Sequence, residues 1–220
     1  MNDLFKNIKA VGFDLDGTLY KIIPEMDRLI VGFAAEKVLE KKPELRTIEE
    51  AENFYRKNYK ELESGTKTLM LAGYSEEEAR NAMKNALKKG EQIDLIPEDQ
   101  KLVGILKEIK EKNYSYLITK SPKDLAKNKL RKIGIHDNHF DAEFFGDDKI
   151  VQGHTKKEAI EEIARLSSIP LEEHVYVGDK IKADILDPKS LGMKTIAVWN
   201  KIPEADISIE NIDEIGKILL

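Results

Sequence analysis

The sequence predicts a doubly wound parallel α/β sheet with a helical insertion after its first strand. Short apolar runs occur at residues 8–15 (IKAVGFDL), 114–119 (YSYLIT), 142–145 (AEFF), 174–178 (HVYVG) and 194–199 (KTIAVW). Each is bounded by polar or turn residues, the texture of strands buried on both faces. Amphipathic stretches at 98–112, 122–133, 155–167 and 181–190 separate the later runs, and strand–helix alternation of this kind builds a parallel sheet with helices on its two sides. Residues 21–95 have no strand texture and carry only amphipathic stretches, at 24–41, 47–63, 66–72 and 75–89.

The elements follow in chain order. The first strand ends in the turn signal DLDGT. In the insertion, Thr47 with Glu50 and Ser75 with Glu78 have the spacing of capping boxes, and Gly90 is a helix stop. Pro24 and Pro97 punctuate the two crossings, where proline can continue neither a helix nor a central strand. The core is therefore placed at 1–20 and 97–220 and the insertion at 21–96. Ligands of such sheets bind outside the carboxyl ends of the strands. An insertion leaving from the end of the first strand is expected to act there as a cap, with hinges at the two crossings.

Composition narrows the function. With 36 Lys and Arg against 41 Asp and Glu, the net charge of -5 gives no electrostatic footprint for nucleic acid. No run approaches the roughly 18 apolar residues of a membrane span, and the N-terminal segment does not read as a signal peptide. There are no cysteines, so disulfides and thiolate metal sites are excluded. A cytoplasmic protein, monomer or homodimer, is the expectation.

The chemistry concentrates in VGFDLDGTLY, residues 11–20. Side chains two apart on a strand share a side, so Asp14 and Asp16 form a carboxylate pair at a strand end. A divalent cation would offset their repulsion. Turn chemistry alone also uses Asp and Gly, but a D-x-D-G-T string arises by chance in roughly one chain of this length in five hundred at average usage. His136 and His139, a lone H-x-x-H, read as surface residues, as does His154 in its loop. Trp199, at a strand end, reads as packed.

The segment resembles the first motif of the haloacid-dehalogenase-like hydrolase superfamily. Three further motifs of that family follow in order. YSYLITKSP supplies Thr119 at a strand end, HTKKEAI supplies Lys156 (or Lys157), and VYVGDKIKADI supplies Gly178, Asp179 and Asp184. The resemblance implies a Rossmann-like core with a helical cap and a magnesium-dependent phosphatase of small phosphorylated metabolites. It implies that Asp14 is the nucleophile, that Asp16 is general acid and base, and that Thr119 and Lys156 hold the phosphoryl group. The metal set it implies is Asp14, Asp16 through its carbonyl, and Asp179, with Asp184 as a ligand or a support. Tyr59 and the GTKTL stretch also resemble the cap of pyrimidine-nucleotidase-like relatives. Thr66 and Lys67 are therefore candidate substrate contacts, and phosphoglycolate and sugar phosphates are further candidate substrates.

A phosphomutase keeps the same core residues, and a non-catalytic binding module keeps the fold. The intact acid set weighs against the module, and the carboxylate at Asp16 weighs against halide displacement, which needs no proton. A receiver domain that is phosphorylated on aspartate has neither the long insertion nor the D-x-D-G-T string.

Overall fold

The computed structural model describes residues 3–88, 91–136, 138–152 and 155–220; Gly90 and His154 lie outside them. The chain forms two compact units, Met1–Lys21 with Ile96–Leu220, and Ile22–Leu95.

The first unit is built on six strands: β1 (Ala10–Phe13), β2 (Tyr114–Ile118), β3 (Ala142–Phe144), β4 (His174–Gly178), β5 (Lys194–Val198) and β6 (Ile207–Ile209). They lie in the order β3-β2-β1-β4-β5-β6, and every pairing is parallel. All four residues of β1 and all five of β4 are buried, which is why these strands read as unbroken apolar runs. The chain order reverses beside β1, so the crevice of this sheet opens at the carboxyl ends of β1 and β4. Phe13 is in register with Leu117 and with Val177. The residues that follow these strands, Asp14, Thr119 and Asp179, therefore leave the sheet at one end.

The second unit is helical, with α1 (Pro24–Lys41), α2 (Ile48–Leu62), α3 (Gly65–Leu71), α4 (Glu76–Lys88) and α5 (Glu91–Asp94). Pro24 opens α1, at a position where the missing N–H has no partner to lose. Both capping boxes form: Thr47 Oγ1 accepts from the Glu50 amide while Glu50 caps the Thr47 amide, and Ser75 and Glu78 do the same for α4. This unit has its own core of Val31, Ala34, Ala35, Val38, Ala51, Tyr55 and Leu69. Alanines on α1 and α2 let the two backbones approach closely around Tyr55.

Around the sheet run α6 (Gln100–Lys112), α7 (Lys123–Ile133), α8 (Lys157–Ser167), α9 (Asp187–Ser190) and α10 (Ile215–Leu219). Ala159, Ile160 and Ile163 on α8 close over Tyr116, Ile118 and Tyr176 to make one core layer. The short helices α5 and α10 were not read from the sequence, and two further elements differ from that reading. The stretch expected as one helix at 181–190 begins as a π-helical segment, Ile181–Leu186, in which the Asp187 amide reaches back to the Lys182 carbonyl. Pro188 has no amide with which to continue an α-helical ladder there. Strand β6 was not foreseen, because three residues are too few to show a period.

Candidate active site

Asp14 follows β1 directly, and its amide donates to the Val177 carbonyl, so the sheet ladder extends one step and fixes the residue's direction. Gly17 then turns the chain with φ of 80°, and a Cβ there would lie 2.7 Å from the Asp179 carboxylate. Only glycine provides both the left-handed backbone and the space. Thr119 is held at the end of β2 by its amide bond to the Phe144 carbonyl. Asp179 follows β4.

Lys156 is buried at the start of α8, and its ammonium donates to Asp14 Oδ1 and to Asp184 Oδ1, at 2.7 Å each. Of the two candidate lysines it is the one at the carboxylates; Lys157 faces Asp187 at 3.6 Å in a half-exposed position. The ring of Tyr176 lies beneath the Lys156 ammonium at 5.3 Å. Asp184 is fully buried in the π-helical segment, and its Oδ2 accepts from the amides of Asp179 and Lys180. Gly178 makes this approach possible, since a Cβ there would meet Asp184 at 2.3 Å.

Oxygens of Asp14, Asp179 and Asp184 all lie within 4.8 Å of one another. Burial pushes the Asp14 carboxyl up to about 6, with Lys156 offsetting part of the rise and Asp184 and Asp16 adding to it. Burial likewise lifts Asp179 to about 7, with Lys180 opposing and the charges of Asp14 and Asp184 reinforcing. Burial alone would drive Lys156 towards its neutral form, but the facing charges of Asp14 and Asp184 outweigh it and keep the ammonium well above the usual lysine range.

These residues fit a hard divalent cation. The donors are all carboxylate oxygens, the set magnesium prefers. Among the described residues, Asp179 Oδ1 is buried and accepts no hydrogen bond, so a ligand atom stands ready beside Asp14. Asp184, counted in the sequence reading among the metal ligands, already accepts three hydrogen bonds over its two oxygens. That leaves Asp14 and Asp179 as the better side-chain donors and makes Asp184 the anchor of Lys156. The Asp16 side chain stands outside this cluster, so any part it has in holding a cation passes through its main-chain carbonyl.

Asp16 is held by a separate group of residues. Tyr20 donates to its Oδ1 at 2.6 Å, Ser121 to Oδ2 at 2.7 Å and Thr119 to Oδ2 at 3.3 Å. The ammonium of Lys129 pairs with Oδ1. Burial would raise this carboxyl, but the charge of Lys129 and the bonds from Lys129, Tyr20 and Ser121 outweigh it and hold Asp16 at about 2.

Three of the residues that shape the site, Ser121, Lys129 and Lys180, were not singled out in the sequence, and Tyr20 was read there only as the end of the first motif segment. Lys129 had a signal in the sequence. It falls on the buried stripe of α7, among Leu125, Ala126, Leu130 and Ile133, where a lysine is out of place unless it is paired. Thr66 and Lys67 lie in the first turn of α3 in the helical unit, where the Lys67 amide donates to Ser64 Oγ. His139 Nδ1 bonds the His136 carbonyl at 2.8 Å, a surface turn contact. Trp199 sits just past β5 with its indole N–H buried and, among the described residues, without an acceptor.

A model of the haloacid dehalogenase-like hydrolase family matches residues 8–192. The chain belongs to that family. Members of the family share the layout of its sheet and helices with this chain in solved structures. A haloacid dehalogenase-like hydrolase of Streptococcus pneumoniae aligns with a TM-score of 0.69 and 17% identity over 97% of this chain and 99% of its own. A HAD-type protein of Bacillus subtilis, solved with magnesium bound, aligns at 0.61 and 17% identity over 97% and 99%. A phosphoserine phosphatase, solved as an analogue of its phospho-aspartyl intermediate, aligns at 0.58 and 22% identity over 98% and 100%. At these identities the likeness is one of fold. No curated protein matches the chain. Among the described residues, no helix of this haloacid dehalogenase-like hydrolase is long and apolar enough to cross a membrane.

Proposed function

We propose that this hydrolase is a magnesium-dependent phosphatase of small phosphorylated metabolites, working through an aspartyl-phosphate on Asp14. The observation that carries the reading is the division of labour between two carboxylates two residues apart. Asp14 faces Lys156 and Asp179, while Asp16 is held apart by hydroxyl donors and Lys129. On this reading the first receives a phosphoryl group beside a positive charge and the second moves a proton.

In the first half of the reaction a carboxylate oxygen of Asp14 bonds to phosphorus as the ester oxygen leaves with the bonding pair. Asp16 gives that oxygen its proton. The Lys156 ammonium and the Thr119 hydroxyl hold the equatorial oxygens, where charge gathers. In the second half Asp16, now a carboxylate, takes a proton from water, and the water oxygen displaces Asp14 from phosphorus. Asp184 keeps Lys156 aimed throughout. Magnesium, held by Asp14 and Asp179, supplies positive charge that lets an anionic nucleophile meet an anionic substrate. That a relative of this fold binds magnesium and another carries a phospho-aspartyl analogue supports the reading.

The arrangement of Asp16 favours its base role as it stands, because four donors surround a carboxylate with no site left for its own proton. The acid step therefore needs at least one donor to withdraw while substrate is bound. We assign the helical unit, expected at 21–96, the role of a cap that presents Thr66 and Lys67 to the leaving group and excludes water.

The test is phosphate release from para-nitrophenyl phosphate and then from a panel of phosphorylated metabolites. Activity that survives excess EDTA removes the metal from the reading. Asp14→Asn is expected to lose at least about 10³-fold, as removal of a nucleophile does. Conversion of a sugar monophosphate to its isomer without free phosphate would make the protein a mutase instead.

A further inference from the structure

Lys129 is a buried lysine, 2% exposed, on a helix that carries no family motif. Its ammonium is shared between two acceptors, Asp16 and Ser121 Oγ, the latter at 3.0 Å. Ser121 in turn donates to Asp16 Oδ2 and, through its amide at 3.1 Å, to Thr119 Oγ1. The lysine thus closes a ring of contacts in which each member touches Asp16. Tyr20, Thr119 and Ser121 are neutral donors that could rotate to other partners; Lys129 is the only charged one. Lys129 is buried on the same helix as Leu125, Ala126, Leu130 and Ile133.

A buried ammonium is expensive unless fully paired, and its partner here is the one carboxylate whose orientation the chemistry depends on. We propose that Lys129 is a positioning residue for Asp16, fixing the carboxylate's direction so that proton transfer to and from the leaving-group side is prearranged before substrate binds. The proposal rests on the reading of Asp16 as general acid and base. It also links two parts of the site. Thr119 and Ser121 lie on the β2–α7 connection and Lys129 on α7 itself, so one continuous piece of chain carries both the hydroxyl assigned to the phosphoryl oxygens and the groups that aim Asp16.

The experiment compares phenyl phosphate, with a poor leaving group, and para-nitrophenyl phosphate, which leaves without a proton. It uses Lys129→Met, Asp16→Asn and the double variant, each checked for its thermal transition. Lys129→Met is expected to lower kcat/KM on phenyl phosphate, which reports the steps through leaving-group departure, by about 10–100-fold, the scale of a misplaced catalytic group. On para-nitrophenyl phosphate the loss in kcat/KM should be under about threefold, since no acid is needed in those steps; the later attack by water, which both substrates share, does not enter the comparison. Adding Lys129→Met to Asp16→Asn should change phenyl phosphate turnover by less than about twofold, because a residue that acts through Asp16 has nothing left to act through. The double variant removes both members of the ion pair together, so it gives this comparison even where Lys129→Met alone leaves Asp16 unpaired and unfolds.

Equal losses on the two substrates, or a further tenfold loss in the double variant, would overturn the proposal and leave Lys129 as a structural ion pair. If Asp16→Asn itself shows no leaving-group preference, the acid assignment fails. The coupling between the two residues still decides the inference about Lys129 in that case.

Discussion

Asp14 and Asp16 are separated by one residue, yet their environments drive their carboxyls in opposite directions, Asp14 to about 6 and Asp16 to about 2. Asp14 is buried and Asp16 partly buried, and desolvation raises both. What separates them is the lysine each meets: Lys156 divides its charge between Asp14 and Asp184, whereas Lys129 faces Asp16 alone among carboxylates and is joined by three hydroxyl groups.

Cation binding and pH should be linked through Asp14 and Asp179. Their folded values of about 6 and about 7 stand above the ordinary 3.8, so the folded protein holds protons that the unfolded chain has released. Groups raised in this way favour the folded state at low pH, and that contribution is lost as pH rises towards 7. A cation on these oxygens replaces the protons. Magnesium should therefore raise Tm more at pH 8 than at pH 5, and calorimetric titration near pH 6 should show proton release. An equal rise in Tm at both values would contradict the assigned ligands.

His174 gives the opposite slope. The ring is fully buried, accepts from the Tyr116 hydroxyl at Nδ1, and donates from Nε2 to the Ile169 carbonyl. Burial holds its pKa below the ordinary 6.5, with the Ile169 carbonyl and nearby glutamates opposing more weakly. The unfolded chain then takes up a proton that the folded one refuses, and stability falls as pH drops below about 6.5. His174→Gln should be less stable at pH 8 by about 1–3 kcal/mol through its disturbed buried hydrogen bonds. Its denaturant midpoint should also fall less steeply than wild type between pH 6.5 and 5, and parallel slopes would refute the role given to this histidine.

Gly17→Ala should damage the site more than the fold. The positive φ costs a non-glycine residue about 1–2 kcal/mol. The added methyl would also press on the Asp179 carboxylate. The expected result is a modest drop in Tm with a larger weakening of magnesium binding, read as the cation concentration that gives half-maximal phosphate release. A wild-type magnesium requirement in this variant would show that Asp179 is not held by the turn.

Thr66 and Lys67 test the helical unit. If it presents them to substrate, Thr66→Ala and Lys67→Ala should alter relative kcat/KM across a metabolite panel by about tenfold for some members, the worth of one or two lost polar contacts. Turnover of para-nitrophenyl phosphate should stay within about twofold. Hydrogen exchange with and without magnesium-beryllofluoride should change near the crossings. An unaltered panel together with unaltered exchange would make the unit passive cover.

The strands that carry the site were legible because they are continuous apolar runs ending in acids, a pattern that survives without any knowledge of neighbours. Lys156 was legible as one of two adjacent lysines; burial against Asp14 and Asp184 then distinguishes it from Lys157. Lys129 was hidden for a different reason. Its partner is 113 positions away, and only its place on the apolar stripe of α7 hinted at burial. The π-helical start at Ile181 was illegible because one contact of its Asp184 is tertiary: Lys156, 28 positions away, donates to Asp184 Oδ1. The three-residue β6 owes its form to pairing with β5, which no local pattern encodes.

The pairing of β1 has a kinetic meaning. Ala10 lies beside Tyr114 on one side and His174 on the other, so the strand that leads into Asp14 pairs only with strands distant in sequence. Contacts of such long range form late, after the chain has closed its large loops. The helical unit is built instead from elements adjacent in sequence, and its far-ultraviolet signal should return first on dilution from denaturant. Hydrolase activity would then return only when β1 slots between β2 and β4, which makes enzyme assay a selective clock for the last event in folding.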